Sequence, residues 1–283
     1  MTAIVPWPGQ ACATKRWSVR AQRSLRPRPR RRARPSACRW APRRGSPSTC
    51  ALNVHQLRED TITVHFLVHV TKLCMVNTER EVRRLLARAP MQTVRAPSLA
   101  GLYSHPGPEL AILNRRGVVH RLAHGIYCAV PPEHAGGGWR PALETATGAV
   151  ATALYGAQVP VLTGLTAARM HRALPRAIGV GYVAVPTQRR PLRLTDREGQ
   201  VRFVMRAVGE LDAVAMATEL GHVLVTTPEQ TVLDLARADP RTEDLDAQEA
   251  IDALWPSCDP AVLEQIAGHQ RMRATYARVA AKR

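Results

Sequence analysis

Apolar positions follow a helical spacing and then an alternating spacing over residues 75–130. One apolar residue recurs every three to four positions in the first part, which predicts short amphipathic helices. These helices cover 77–89, 97–103 and 109–117. The alternating part, VVHRL followed by GIYCAV, predicts two strands joined by a tight turn at His124-Gly125, where Gly125 adopts a positive φ.

The pattern after Trp139 mixes both spacings over a longer stretch. It predicts helices over 139–158, 163–174, 244–255, 260–267 and 271–283, and strands over 179–188, 200–208 and 222–227. A further helix begins at TPEQTVLDLA, where Thr227 and Gln230 form a capping box around Pro228. The small residues of ALETATGAVATALYGA favour close packing of the first helix against a neighbour. The sequence therefore predicts an α+β fold.

Charge changes this picture because it is unevenly distributed. The chain of 283 residues has a formal net charge of +18, but residues 1–74 contain 15 of the 40 lysines and arginines and only two acids. Residues 75–283 contain 25 basic and 20 acidic residues. Most of the basic excess therefore comes from the first quarter of the chain, and 75–283 have the composition of a folded protein with a mildly basic surface.

Residues 1–74 do not show the pattern of a folded domain, since RSLRPRPRRRARPSACRWAPRR (23–44) has no periodicity and little to bury. We expect a disordered basic extension, and three interpretations remain. It is an arm that adds affinity for nucleic acid, a targeting peptide, or upstream DNA translated from a start codon placed too early, with Met75 as the true start. The apolar stretch 61–76 is too short to span a bilayer, and we expect no membrane partner.

Cysteine usage indicates neither disulfides nor a metal centre in the patterned part of the chain. Cys128 and Cys258 are far apart and lie in apolar runs, which is typical of buried free thiols in a reducing cytoplasm. The sequence contains no CxxC and no HExxH. We therefore expect no metal site and no cofactor.

The predicted order of three short helices and a hairpin is that of a winged helix-turn-helix, with its third helix in the DNA major groove and its hairpin along the backbone. Arginine and asparagine can read base edges, whereas cations on the hairpin hold phosphates. The candidate DNA-binding residues are Asn114, Arg115 and Arg116 at the helix end, and His120, Arg121 and His124 on the hairpin. The alternative for Arg115 and Arg116 is a solvated helix end favoured by the helix dipole.

The residues needed for common enzyme chemistry are scarce after Met75. Lys282 is the only lysine there, which excludes a P-loop lysine and a Schiff-base lysine, and no serine lies in a GxSxG motif. Three acids and two histidines are candidates for catalysis, but we interpret them as structural. They are Glu219, Glu229, Asp234, His171 and His222. We therefore expect that the protein is not an enzyme.

An ordered set of motifs resembles the AbiEi-type antitoxin and transcriptional-regulator family of actinobacteria. The set comprises LNRRGVVHRLAHGIYCAVP, the Trp139-Arg140-Pro141 opening, VLTGLTAARMHRALP, VAVPTQRRPLRL and VLVTTPEQTVLDLA. The resemblance runs from about Thr78 to the C-terminus and does not extend to 1–74.

The resemblance implies a winged-helix domain over 75–132 and an α+β antitoxin domain over 139–283. It also implies a cytoplasmic repressor that binds double-stranded DNA at inverted repeats in its own promoter. As a type IV antitoxin, the protein would oppose a nucleotidyltransferase-like toxin without an obligatory stable complex.

Two other classes of function compete with this one. The first is a protein-interaction antitoxin or accessory domain whose hairpin packs against the C-terminal core and does not bind specific DNA. The second is an enzyme acting on nucleic acid or nucleotides, which the scarcity of lysine and serine disfavours.

Overall fold

Two β-sheets and the helices packed on them account for the described residues, and this confirms the predicted α+β class. The computed structural model describes residues 79–135, 138–237 and 245–283. The predictions for residues 1–74 lie outside this part of the chain. All the described residues belong to one compact unit.

The N-terminal elements are two helices and the three strands of the first sheet. They are α1 (79–88), β1 (Thr93–Arg95), α2 (Pro106–Arg115), β2 (Val119–Ala123) and β3 (Ile126–Ala129). The strand order is β1-β3-β2, and both pairs are antiparallel. The predicted helix over 97–103 is only a 3₁₀ turn, Ala96–Leu99. Helix α2 begins three residues earlier than predicted, because prolines are tolerated in the first helical turn, where the N–H groups have no partner within the helix.

The second sheet has six strands in the order β6-β7-β5-β4-β9-β8. They are β4 (Val161–Leu162), β5 (Val180–Val185), β6 (Leu192–Arg193), β7 (Gln200–Met205), β8 (Ala213–Thr218) and β9 (Gly221–Thr226). The pairs β4–β9 and β5–β7 are parallel, and the other three are antiparallel. Strands β5, β7 and β9 match the predicted strands, whereas β4, β6 and β8 were not predicted.

The helices of this half follow the predicted order. They are α3 (Leu143–Tyr155), α4 (Gly164–Met170), α5 (Pro228–Ala236), α6 (Leu245–Leu254), α7 (Pro260–His269) and α8 (Arg273–Ala280). The cap of α5 forms as expected, since the Thr227 hydroxyl accepts from the Gln230 amide N–H at 3.4 Å. The Gln230 side chain does not complete the box, because its oxygen accepts from the amide N–H of Asp212 at 3.3 Å.

Three apolar clusters form the core. One lies among α1, α2 and the outer face of the hairpin, one among helices α4 to α8, and the largest between α3 and the six-stranded sheet. The hairpin contributes to two of them: Tyr127 belongs to the first cluster, whereas Ile126 and Cys128 belong to the largest. The hairpin therefore lies between the N-terminal helices and the six-stranded sheet, and its side chains pack against both.

Candidate nucleic-acid interface

The six candidate DNA-binding residues lie together at the end of α2 and on the hairpin β2–β3. Asn114 brings these two elements into contact, because its side-chain oxygen accepts from the backbone N–H of Arg121 at 3.0 Å. The side chains of Arg115, Arg116 and His124 are exposed, and those of Asn114, His120 and Arg121 are partly buried. The six residues thus lie on two elements that are in contact, and their side chains have different surroundings.

The two arginines at the end of α2 differ in their surroundings. Arg116 Nη2 lies 2.6 Å from a carboxylate oxygen of Glu79 on α1, and both side chains remain partly accessible. Glu79 also pairs with Arg83 at 3.2 Å. Arg115 is exposed and makes no hydrogen bond or ion pair within the described part of the chain. Arg115 is therefore available to a ligand, whereas Arg116 is held toward α1 by an exposed pair of small net energy.

Arg121 and His124 form a pair across the hairpin turn. Arg121 Nη2 donates to His124 Nδ1 at 3.1 Å, and since a guanidinium only donates, His124 carries its proton on Nε2 in this arrangement. The Nε of Arg121 is buried and has no hydrogen-bond partner within the described residues. Gly125 has a φ of 70°, as predicted for the turn. The turn thus presents one guanidinium whose bonding capacity is only partly used.

His120 pairs with Asp196 of the C-terminal half, and its side chain is mostly buried. Its Nε2 is 2.9 Å from a carboxylate oxygen of Asp196, whose other close partner is Arg197 at 2.7 Å. Desolvation raises the pKa of Asp196, but the hydrogen bonds from His120 and Arg197 outweigh it and hold this pKa well below its usual range. His120 therefore connects the two halves, and its Nε2 is already bonded to Asp196.

The loop 194–199, between β6 and β7, also holds the backbone of the hairpin. The amide N–H of Thr195 donates to the carbonyl of Leu122 at 2.9 Å, and its hydroxyl donates to the carbonyl of Arg121 at 2.9 Å. Arg197 donates to the carbonyl of Pro141 at 2.5 Å. Sequence reasoning did not single out Thr195, Asp196 or Arg197, because they lie about 75 residues from the hairpin and only the fold brings them there.

A cleft of about 260 Å³ opens beside the candidate residues, between the end of α2, the start of β2 and the segment that leads to α3. Trp139 forms one side of it, stacked with the ring of His134 at a centroid distance of 6.0 Å and edge-on to His120 at 5.9 Å. Arg115 and Arg116 line the opposite side. The cleft adds an aromatic surface next to the exposed cations.

Four of the five acids and histidines considered for catalysis have hydrogen-bond partners. Glu219 accepts from the amide N–H of Ala142 and Glu229 from that of Asp259. Asp234 accepts from Thr163, Gln230 and Arg206 at 2.8 to 3.0 Å. His171 lies 2.7 Å from the carbonyl oxygen of Thr226, while His222 is exposed. These bonds hold loops and helix ends in place, as the structural interpretation predicts.

Both cysteines of the described residues are free, and Cys128 is buried. Desolvation is the main cause that raises the pKa of each thiol to about 12. The thiolate form is therefore negligible near pH 7, and neither cysteine is an activated nucleophile. Among the described residues, no group of three or more potential ligand side chains is arranged to hold a metal ion. No described helix is long and apolar enough to cross a lipid bilayer.

Comparisons with known proteins find a similarity in the C-terminal half of the chain. Residues 160–281 match the family model of the AbiEi antitoxin C-terminal domain. No curated protein matches the chain. Similar solved structures include a crystal structure of the RV2827C protein from Mycobacterium tuberculosis, which is 19% identical in sequence to this chain. The alignment covers 68% of this chain and 71% of that chain, with a TM-score of 0.40.

Proposed function

We propose that this chain, whose residues 160–281 match the AbiEi antitoxin C-terminal domain, is a type IV antitoxin and DNA-binding autorepressor that opposes a nucleotidyltransferase-like toxin. The domain match supports a type IV antitoxin role. DNA binding by the N-terminal half and the nature of the toxin belong to the proposal. In it, the protein works in the cytoplasm by binding and not by catalysis.

The order of elements in the N-terminal half supports a winged helix. Helix α1, strand β1, a helical turn, helix α2 and a hairpin follow one another as in that module. In the antiparallel strand order β1-β3-β2, strand β3 of the hairpin pairs with β1, and strand β2 lies at the edge of the sheet. In this arrangement α2 is the recognition helix and β2–β3 is the wing.

One observation carries the assignment of the interface: the Asn114–Arg121 hydrogen bond places the exposed end of α2 beside the wing. Arg115 and Arg121 then contribute cations to this surface, which fits phosphates of a duplex, while Arg116 is paired with Glu79 and His124 accepts from Arg121. Arg115 has no internal partner within the described residues and is the candidate for base contact. Asn114 and His120 act as positioning residues, because their polar atoms are used to hold the wing.

A gel shift with the DNA upstream of the gene tests this interface. Arg121→Ala removes a wing cation and should weaken binding to specific and unrelated duplexes by a similar factor, because phosphate contacts do not depend on sequence. Arg237→Ala removes an exposed arginine at the end of α5 and serves as the control. Equal affinity of wild type and Arg121→Ala at about 150 mM salt would exclude the wing from the interface.

The antitoxin part is tested by growth of cells that express a candidate nucleotidyltransferase-like toxin. The wild type should restore growth, and Arg121→Ala should restore it equally while failing to repress a reporter under the same promoter. This separation is expected because the changed residue lies in 79–135, outside the matched antitoxin domain. Failure of the wild type to restore growth would contradict the antitoxin role with that toxin.

A second candidate function is favoured by the burial of the hairpin. Because β3 packs against the largest apolar cluster and β2 is bonded to Thr195, the hairpin also serves as part of the core. In a protein-interaction antitoxin without specific DNA binding, the hairpin would need only this structural role in the core. The two candidates differ in the gel shift, where the second gives no preference for the upstream region.

A further inference from the structure

Strand β8 forms one end of the six-stranded sheet. It pairs with β9 along all six residues, from Ala213 with Thr226 to Thr218 with Gly221. Its outer side pairs with no other strand in the part of the chain that the structure describes. The strand therefore presents a row of backbone N–H and C=O groups that can bond another strand.

The hairpin geometry identifies which residues carry these groups. Thr218 and Gly221 flank a two-residue turn, and the pair that closes such a turn exchanges hydrogen bonds. The same parity continues at the other end, where the amide N–H of Thr227 donates to the carbonyl of Asp212 at 3.0 Å. Bonded pairs alternate along an antiparallel ladder, so the even-numbered residues bond β9. The odd-numbered residues Ala213, Ala215 and Ala217 direct their N–H and C=O groups outward.

This edge lacks the features by which proteins prevent edge-to-edge pairing. The sequence of β8 is AVAMAT, which contains no charge and no proline, and its register with β9 has no bulge. Val214 exposes 43% of its surface. The opposite edge of the same sheet is protected, because β6 has only two residues, includes Arg193 and follows Pro191.

We propose that β8 pairs antiparallel with β8 of a second copy of this chain, about a two-fold axis through Ala215. In this register each bonded pair joins two alanines, Ala213 with Ala217 and Ala215 with itself, and exchanges two hydrogen bonds. Val214 lies opposite Met216, so that two partly exposed apolar side chains cover each other on the same face. No other register about a single residue of β8 pairs all of Ala213 to Ala217 with one another.

Self-complementarity selects a second copy as the occupant. An isologous contact requires that one patch match itself, and the register about Ala215 does so in backbone polarity, side-chain size and apolar character. The pairing does not depend on DNA binding, although a two-fold dimer also suits an inverted repeat. Because six-residue strands bury less area than a standard interface, we expect dissociation in the micromolar range.

The test measures the mass of the full chain by analytical ultracentrifugation at about 1 to 100 μM, a range that spans micromolar dissociation constants. The mass should rise from 31.1 kDa toward twice that value. Ala215→Lys and Ala215→Glu each place like charges directly opposite across the axis, and each variant should remain monomeric. A mixture of the two variants should regain the dimer, because Lys then faces Glu.

Met205→Lys provides the matched control, since it adds a charge at a position of the same sheet that is 61% exposed and lies on β7. It should dimerise like the wild type, and far-ultraviolet circular dichroism should show that every variant is folded. A wild type that stays at the mass of one chain overturns the proposal. So does a dimer that persists in Ala215→Lys, or a mixture that fails to recover it. Loss of DNA binding would leave all these results unchanged.

Discussion

The carboxylate of Asp196 contacts side chains from two parts of the chain. It bonds His120 of the hairpin and Arg197 of its own loop, and its side chain is only 7% exposed. A buried carboxylate with two hydrogen-bonding partners stabilises the fold only while both partners remain. The position of His120 and the charge next to the hairpin therefore depend on Asp196, a residue outside the predicted interface.

Replacement of Asp196 by alanine should lower the free energy of unfolding by about 2–3 kcal/mol at pH 7, because it removes charge-assisted hydrogen bonds and leaves their donors buried. Urea denaturation measures the change. Glu133→Ala removes an exposed acid of the segment after β3 and should have no effect within error. Equal stability of wild type and Asp196→Ala would mean that His120 and Arg197 find other partners.

The same carboxylate predicts a pH dependence. Its pKa is depressed in the folded protein, so the unfolded chain takes up the proton first as the pH falls. The stabilisation is complete above the unfolded pKa of about 4 and is lost at lower pH. The stability difference between wild type and Asp196→Ala should therefore shrink between about pH 5 and pH 2. A difference that stays constant over this range would contradict the depressed pKa.

At the scale of elements, the contact of α3 with β5 depends on a residue without a side chain. A Cβ on Gly181 would lie 1.9 Å from Thr147 Oγ1 and 2.9 Å from its Cβ. Thr147 is fully buried and its hydroxyl donates to the carbonyl of Leu143 at 2.7 Å, so it cannot turn outward easily. The predicted close packing of this alanine-rich helix is observed here as a direct helix–strand contact.

Gly181→Ala should therefore lower the free energy of unfolding by about 1–3 kcal/mol through overpacking. Thr147→Ala removes the nearest clashing atom, and the double variant should be more stable than the sum of the two single changes predicts. Urea denaturation of the four proteins gives the coupling energy. Additive effects would mean that the backbone relaxes away from the helix without cost.

Sequence patterns predicted the elements whose side chains alternate or repeat. The prediction of the hairpin was correct for both strands and the turn, because Gly117 precedes the first apolar run, VVHRL, and Gly125 separates it from the second, IYCAV. Strand β8 was missed because AVAMAT lacks alternation and contains good helix formers, so that only its pairing with β9 makes it a strand. The six candidate residues lie on two neighbouring elements that the sequence predicted, but the His120–Asp196 pair spans 76 positions and no local pattern indicates it.

At the scale of the whole molecule, the N-terminal and C-terminal halves share one core. Residues from the hairpin and from the six-stranded sheet belong to the same apolar cluster, and Leu122 is completely buried within it. The loop 194–199 adds backbone hydrogen bonds across the same boundary. A change in the C-terminal half can therefore alter the hairpin directly.

This shared core predicts cooperative unfolding. Residues 79–135 and the C-terminal half should lose structure in one urea transition. Tryptophan fluorescence, to which Trp139 at the boundary contributes, and far-ultraviolet circular dichroism should both follow it. Asp196→Ala should shift both signals together, because the residue joins the halves. Two separate transitions would show that the halves are independent domains despite their common cluster.

The most direct measurement of the central claim is the salt dependence of DNA binding. Fluorescence anisotropy of the labelled upstream duplex, titrated with protein at about 50 to 200 mM salt, gives the slope of log K against log salt. We predict a steep negative slope for the wild type, and for Arg121→Ala a slope whose magnitude is smaller by about 0.9 for each phosphate that the variant no longer neutralises. A wild type that does not bind this duplex, or a slope that Arg121→Ala leaves unchanged, would contradict the assignment of the wing to the DNA interface.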